Sequence, residues 1–143
     1  MLNFYLYIGD VMSKLIFKTP CSTFTLESIM CCIFGIKPFD VAVYLTLLKE
    51  GTSRVNTIAE LLNRDRSTVQ RSFQNLVNVG LVKRKQVNLK GGGYFYNYEA
   101  IPFSEVQSII VDTMEEWCRE VKKWITKIED KDLEKYIKEF KNN

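Results

Sequence analysis

Apolar residues recur at helical spacing over most of this chain, and a short alternating stretch interrupts that rhythm near its middle. Phe24 to Gly35 predicts a short, mostly apolar helix with Leu26, Ile29, Ile33 and its cysteines turned inward and Gly35 ending it. Pro38 suits the first position of a second helix, in which Phe39, Val43 and Leu47, with Ala42 and Leu45, form a stripe running to Gly51. After the Gly51-Thr52-Ser53 turn, Ile58, Ala59, Leu61 and Leu62 predict a third helix over Val55 to Leu62. The break at Asn63-Arg64-Asp65 is short. Asp65 is placed to cap a fourth helix by accepting from the free N–H groups of its first turn, with Ser67 and Gln70 as a second possible box.

The fourth helix, Asp65 to Gly80, sets Val69, Phe73 and Leu76 on one face, flanked by Ser72 and Val77. Ser67, Arg71, Gln74 and Asn78 occupy the other, bordered by Gln70 and Asn75, and no acid follows the cap. Leu81 to Leu89 then alternates apolar residues with Lys83-Arg84-Lys85. Gly91-Gly92-Gly93 supplies a turn, and Tyr94 to Tyr98 has the aromatic enrichment of a returning strand, so the segment predicts a basic β-hairpin. From Ser104 the helical rhythm resumes: Ile110, Met114, Trp117, Val121, Trp124 and Ile128 follow in steps of four and three, a heptad-like seam suited to self-association. Glu129 to Asp132 breaks that helix, and Leu133, Tyr136, Ile137 and Phe140 mark a last short one.

Charge changes the picture by its distribution. The whole chain carries only +3, but Arg54 to Lys90 holds eight basic residues against Glu60 and Asp65, whereas Phe103 to Asn143 holds eight basic against ten acidic residues. The chain has no histidine, which excludes Ser-His-Asp and Cys-His catalysis and His-ligated metals, and no nucleophile-base pair or carboxylate cluster stands out. Cys21, Cys31, Cys32 and Cys118 lack paired C-x-x-C spacing, so buried free thiols in a reducing compartment are expected, with an approach of Cys32 to Cys118 as a redox or metal sensor the alternative. The opening MLNFYLYIGDVM is too short to span a membrane and lacks the basic start of a signal peptide; Met12 is an alternative start. The expectation is a cytoplasmic protein that is not an enzyme, needs no cofactor or metal, and does not contact a membrane.

Asp65-Arg66-Ser67-Thr68-Val69-Gln70-Arg71 and Asn78-Val79-Gly80-Leu81-Val82-Lys83-Arg84 resemble the recognition helix and following strand of TrmB-like and MarR-like transcription regulators. Gly92 to Tyr98 is similar to the wing of archaeal TrmB-like proteins that also carry a segment like Cys32-Ile33-Phe34-Gly35-Ile36. The resemblance spans Cys32 to Trp124. It implies an archaeal winged helix-turn-helix fold, mainly α with a small β-hairpin wing (α+β), and C-terminal dimerisation helices. TrmB regulators proper continue into a sugar-binding domain, whereas about forty residues follow the wing here, so sugar sensing is not carried over. The corresponding division is an N-terminal extension and first helix over 1–35, a DNA-binding domain over 36–101 and a helical dimerisation region over 102–143.

On this reading the partners are double-stranded DNA and a second copy of the chain, with any small-molecule effector unknown. Helix 65–80 enters the major groove, where Ser67, Gln70, Arg71 and Gln74 form the reading face and Thr68 also contacts DNA; arginine pairs bidentately with guanine and glutamine with adenine. Lys83, Arg84, Lys85 and Lys90 meet phosphate or the minor groove, and Arg64 and Arg66 sit at a helix start that favours phosphate. Tyr94, Tyr96 and Tyr98 are expected to pack rather than to stack on bases. Trp117 and Trp124 are expected in a core or interface rather than a ligand pocket. The competing function is a winged-helix module that holds protein partners in a transcription or processing assembly.

Overall fold

The computed structural model describes residues 24–142. Among them, six helices and two strands follow in the order α1 (Leu26–Phe34), α2 (Pro38–Glu50), α3 (Val55–Leu62), α4 (Arg66–Asn78), β1 (Val82–Asn88), β2 (Tyr94–Ala100), α5 (Phe103–Thr126) and α6 (Asp130–Lys141). The leader, the choice between Met1 and Met12, and Cys21 lie outside the described residues. No single described helix is long and apolar enough to cross a membrane.

Local chemistry sets the helix ends. Thr25 and Ser28 close a reciprocal capping box at the start of α1, and Gly35 ends that helix in the left-handed conformation at φ 65°. Pro38 occupies the first turn of α2. Asp65, rather than Ser67, caps α4, its side chain accepting from the Thr68 N–H. Asn63 adopts a left-handed φ of 50° at the end of α3, which turns the chain sharply enough for α3 and α4 to pack on one another.

The core gathers where α2, α4 and the hairpin meet. Val43, Leu47, Ile58, Val69, Phe73 and Leu76 are fully buried there, and Phe73 stacks on Tyr98 of β2 with ring centroids 4.3 Å apart. Strands β1 and β2 pair antiparallel from Val82 opposite Ala100 to Asn88 opposite Tyr94. Ser53, in the turn before α3, exchanges both backbone hydrogen bonds with Tyr98 (3.0 and 2.8 Å), so the helical half and the wing are tied through the main chain. The buried Tyr44 hydroxyl donates to the Ile101 carbonyl at 2.8 Å, fixing the exit from β2; its burial, and then the charge of Glu105, push its pKa up.

The structure corrects the interior of α1. Leu26 is exposed, Ile29 and Ile33 are only half-buried, and Met30 is the fully buried residue. Almost every residue of α1 is apolar, so periodicity carries no phase, and packing against α2 and α5 chooses it. In α2 the stripe is likewise rotated: Val41 and Tyr44 are buried with Val43 and Leu47, whereas Ala42 and Leu45 face outward. Leu61 is exposed as well. The cysteines are not buried thiols, because Cys32 and Cys118 are exposed and Cys31 is half-buried, its pKa raised by desolvation and then by Glu27 and Asp40.

Asp40 carries the least expected contact of the fold. Its carboxylate is buried, accepting from the Lys37 N–H at 3.0 Å, the Ser72 hydroxyl at 2.6 Å and the Asn75 amide at 3.4 Å. A buried acid is tolerated only when its oxygens are satisfied. Here the Lys37 N–H closes the start of α2 and the other two donors come from α4, so Asp40 fixes that helix against the start of α2.

Candidate nucleic-acid interface

Helix α4 and the hairpin lie side by side and share one cationic surface. From Arg66 to Tyr98 the chain has six basic residues and no acid. Val69, Ser72, Phe73 and Leu76 anchor the buried side of α4, which leaves Ser67, Arg71, Gln74 and Asn78 exposed along the other. The phase of this helix therefore follows from its own apolar residues.

The expected reading residues are not equivalent in the structure. Arg71 is exposed and stands in the middle of the outer face. Gln74 is exposed too; one of its two amide N–H groups donates to the Asn78 side chain at 2.9 Å, leaving the other to donate and its carbonyl oxygen to accept. Ser67 and Thr68 turn their hydroxyls back onto Asp65, Thr68 at 2.6 Å, so both serve the cap. Those hydrogen bonds, with the Thr68 N–H, hold the Asp65 carboxyl well below the usual carboxylate range. Gln70 is half-buried and donates to the Tyr98 hydroxyl at 3.1 Å, which turns it toward the wing.

The hairpin divides the basic run that reads as continuous in sequence. Successive strand residues point to opposite faces, so Arg84 projects from one face of β1 and Lys83 and Lys85 from the other. Lys83 also stands directly across from Glu99. Arg84 lies over the Tyr96 ring at 4.4 Å, and Lys90 is exposed at the tip, where Gly92 and Gly93 take positive φ. At the start of α4, Arg66 is exposed at the first helical position, and Arg64 just before it lies 5.5 Å from the Phe39 ring. Of the three wing tyrosines, Tyr98 is buried in the core, Tyr96 is half-buried and Tyr94 is exposed.

Sequence reasoning counted the charge of Arg54 without giving it a role. In the structure its guanidinium sits 3.3 Å over the Phe95 ring, so it joins the start of α3 to the wing. No local pattern announces this contact, because Arg54 and Phe95 lie far apart in the chain. The seam residues divide as well: Ile110 packs on the core, Val121 and Ile128 are half-buried, and Met114, Trp117 and Trp124 are exposed. Among the described residues, no group of three or more Cys, Asp or Glu side chains is arranged to hold a metal.

A helix pair joined by a tight turn, a second helix with a polar outer face and an adjoining basic hairpin together define a winged helix-turn-helix regulator. The chain belongs to the TrmB family: the family model described as "Sugar-specific transcriptional regulator TrmB" matches residues 30–104. It is 60% identical over 132 residues to the uncharacterized protein MJ1503 of Methanocaldococcus jannaschii, covering 92% of this chain and 98% of that one. To MJ1082 of the same organism it is 44% identical over 103 residues, covering 72% of this chain and 85% of the relative. Among solved structures, a possible transcriptional regulator from Methanosarcina mazei Go1 superposes with a TM-score of 0.68 at 27% identity, covering 79% of this chain and 96% of that one.

Proposed function

We propose that this chain is a cytoplasmic transcription regulator that binds double-stranded DNA sequence-specifically as a homodimer, with α4 in the major groove and the β1–β2 wing on phosphate or the minor groove. The observation that carries the reading is the run of six basic residues and no acid from Arg66 to Tyr98, spread over α4 and the hairpin, with Arg71 projecting from the middle of a helix whose opposite side is locked in the core. Arg71 and Gln74 read base edges. Lys85, Lys90, Arg84, Arg64 and Arg66 supply phosphate contacts, with Lys83 contributing less because Glu99 faces it. Ser67 and Thr68 act through the cap, and Gln70 through its bond to the wing.

Residues 36–101 form the DNA-binding unit in this reading and 102–143 the dimerisation region. Support for the second assignment is the continuity of one stripe on α5. Phe103, Val106 and Ile110 pack on the core, and the same face runs on through Met114, Trp117 and Trp124, which stay exposed. A symmetric pair of such helices would present two equivalent copies of α4 to a two-fold site.

Selection of bound fragments from the genome of the source organism tests the proposal. The expected outcome is enrichment of a palindromic motif whose half-sites lie about one helical turn apart, roughly 10 base pairs. Failure to enrich any motif at low salt, with salt-insensitive capture of a protein partner instead, would assign the chain to the competing interaction-module reading.

A further inference from the structure

We propose that the cleft at the root of the wing seats one sugar–phosphate unit of the DNA backbone, with Arg54 as a phosphate contact that the wing holds in position. This rests on the DNA-binding reading above. The cleft has a volume of about 420 Å³ and opens where the first turns of α3 and α4 meet β2. Its lining includes Arg54 and Arg66 and no carboxylate, and neither guanidinium forms an ion pair with a described acid. Two unpaired cations facing one concave space attract an anion, and a guanidinium suits a phosphate because its planar fork matches two oxygens.

Three further features favour a backbone unit over a bare ion. Helix α3 has no side-chain cap, and Val55 and Asn56 of its first turn line the cleft, so free main-chain N–H groups are available to an oxyanion there. By contrast, α4 is already capped by Asp65. Tyr98, whose hydroxyl accepts from Gln70, also lines the cleft and adds a polar group to its wall. Finally, the Tyr94 ring is 58% exposed on the wall, an apolar surface against which a deoxyribose would pack.

The Phe95 ring gives Arg54 its distinctive role. The guanidinium carbon lies 3.3 Å over the ring, and a guanidinium held against an aromatic face keeps N–H donors for an oxyanion. The phosphate contact is therefore made by the start of α3 but positioned by the wing, which couples the hairpin to the helical half during binding. Charge and position can be separated experimentally, since one belongs to Arg54 and the other to Phe95.

The test measures duplex affinity across a salt series for the unmodified chain, Arg54→Gln and Phe95→Leu, with thermal unfolding recorded for each. Arg54→Gln is expected to weaken all duplexes alike by about tenfold and to lower the slope of log K against log salt by about one. Phe95→Leu keeps the charge, so binding falls several-fold with the slope nearly unchanged. If Arg54→Gln retains the full slope and affinity while the unmodified chain binds DNA, the cleft proposal is overturned and the parent reading stands. If the unmodified chain binds no duplex at any salt, both fall. Should Phe95→Leu unfold early, the Arg54→Gln slope alone decides, because Arg54 is exposed.

Discussion

Helices α4 and α5 are both amphipathic and both leave a long face uncovered, but the two faces differ in chemistry. On α4 the uncovered residues are Ser67, Arg71, Gln74 and Asn78, which water solvates at no penalty. On α5 they are Met114 (48% exposed), Trp117 (69%) and Trp124 (56%), large apolar groups whose exposure is costly in water. The buried halves match: each helix fixes itself to the core with aliphatic and aromatic side chains, Val69, Phe73 and Leu76 in one case, Phe103, Val106 and Ile110 in the other. What a helix leaves open therefore indicates its partner. A polar cationic face suits a hydrated polyanion, and an apolar stripe suits another apolar stripe.

The comparison breaks most severely at Phe73. Phe73→Ala removes a fully buried ring from between α4 and Tyr98 and should destabilise the fold by about 3 to 5 kcal/mol, read by urea denaturation. Trp117→Ala, a larger truncation but at an exposed position, should destabilise the chain far less in the same measurement made at concentrations where it is monomeric. A Phe73→Ala chain as stable as the parent would show that the two sides of α4 are not divided as described.

The same contrast explains how far the sequence could be read. Helix α4 was legible because its residues differ sharply in polarity: three apolar positions at helical spacing define the buried side, and Asp65 marks the start. The hairpin was legible from its glycine turn and aromatic return strand, to within two residues at the ends. Helix α1 was not, because a nearly uniform apolar segment has no preferred phase until α2 and α5 pack on it. Asp40 was hidden for another reason. An acid in an apolar stripe reads as an exposed interruption, and the Ser72 hydroxyl that satisfies it comes from a helix 32 residues away. The site suffered the same limit, since Arg54 over Phe95 and Gln70 on Tyr98 are tertiary contacts, and the strand pleat that separates Arg84 from its lysine neighbours is invisible in a charge count.

On the α5 side, Trp117→Glu places a charge in the middle of the stripe. It should weaken self-association by about 2 kcal/mol or more, roughly thirtyfold, measured by sedimentation equilibrium, while the helix content per chain stays the same. Equal masses for the two proteins at all concentrations would remove the dimerisation role. On the α4 side, Arg71→Ala should cost about 1 to 3 kcal/mol of DNA affinity and relax the preference at one position in each half-site. Lys85→Ala should weaken every duplex alike and reduce the salt slope by about one. Indistinguishable behaviour of these two variants would dissolve the division between a reading helix and a phosphate-binding wing.

The smallest expected effect is also the one that separates the two helices at their starts. Asp65 caps α4 through the Thr68 N–H at 2.9 Å and the hydroxyls of Ser67 and Thr68, which favour its ionised form and depress its pKa in the folded state. A depressed carboxylate contributes stability that is complete above its unfolded value of about 3.9 and is lost as pH falls through the lower folded value. Asp65→Asn keeps a capping oxygen without a titrating group. The stability advantage of the parent over Asp65→Asn should therefore be present at neutral pH and narrow as the pH is lowered from about 5 toward 2, followed by thermal unfolding at each pH. Helix α5 begins at Pro102 without a side-chain cap, so acidification removes no equivalent bond there. A difference between the two proteins that stays constant over that range would mean that the hydrogen bonds around Asp65 do not favour its charge, and that α4 starts no more firmly than α5 does.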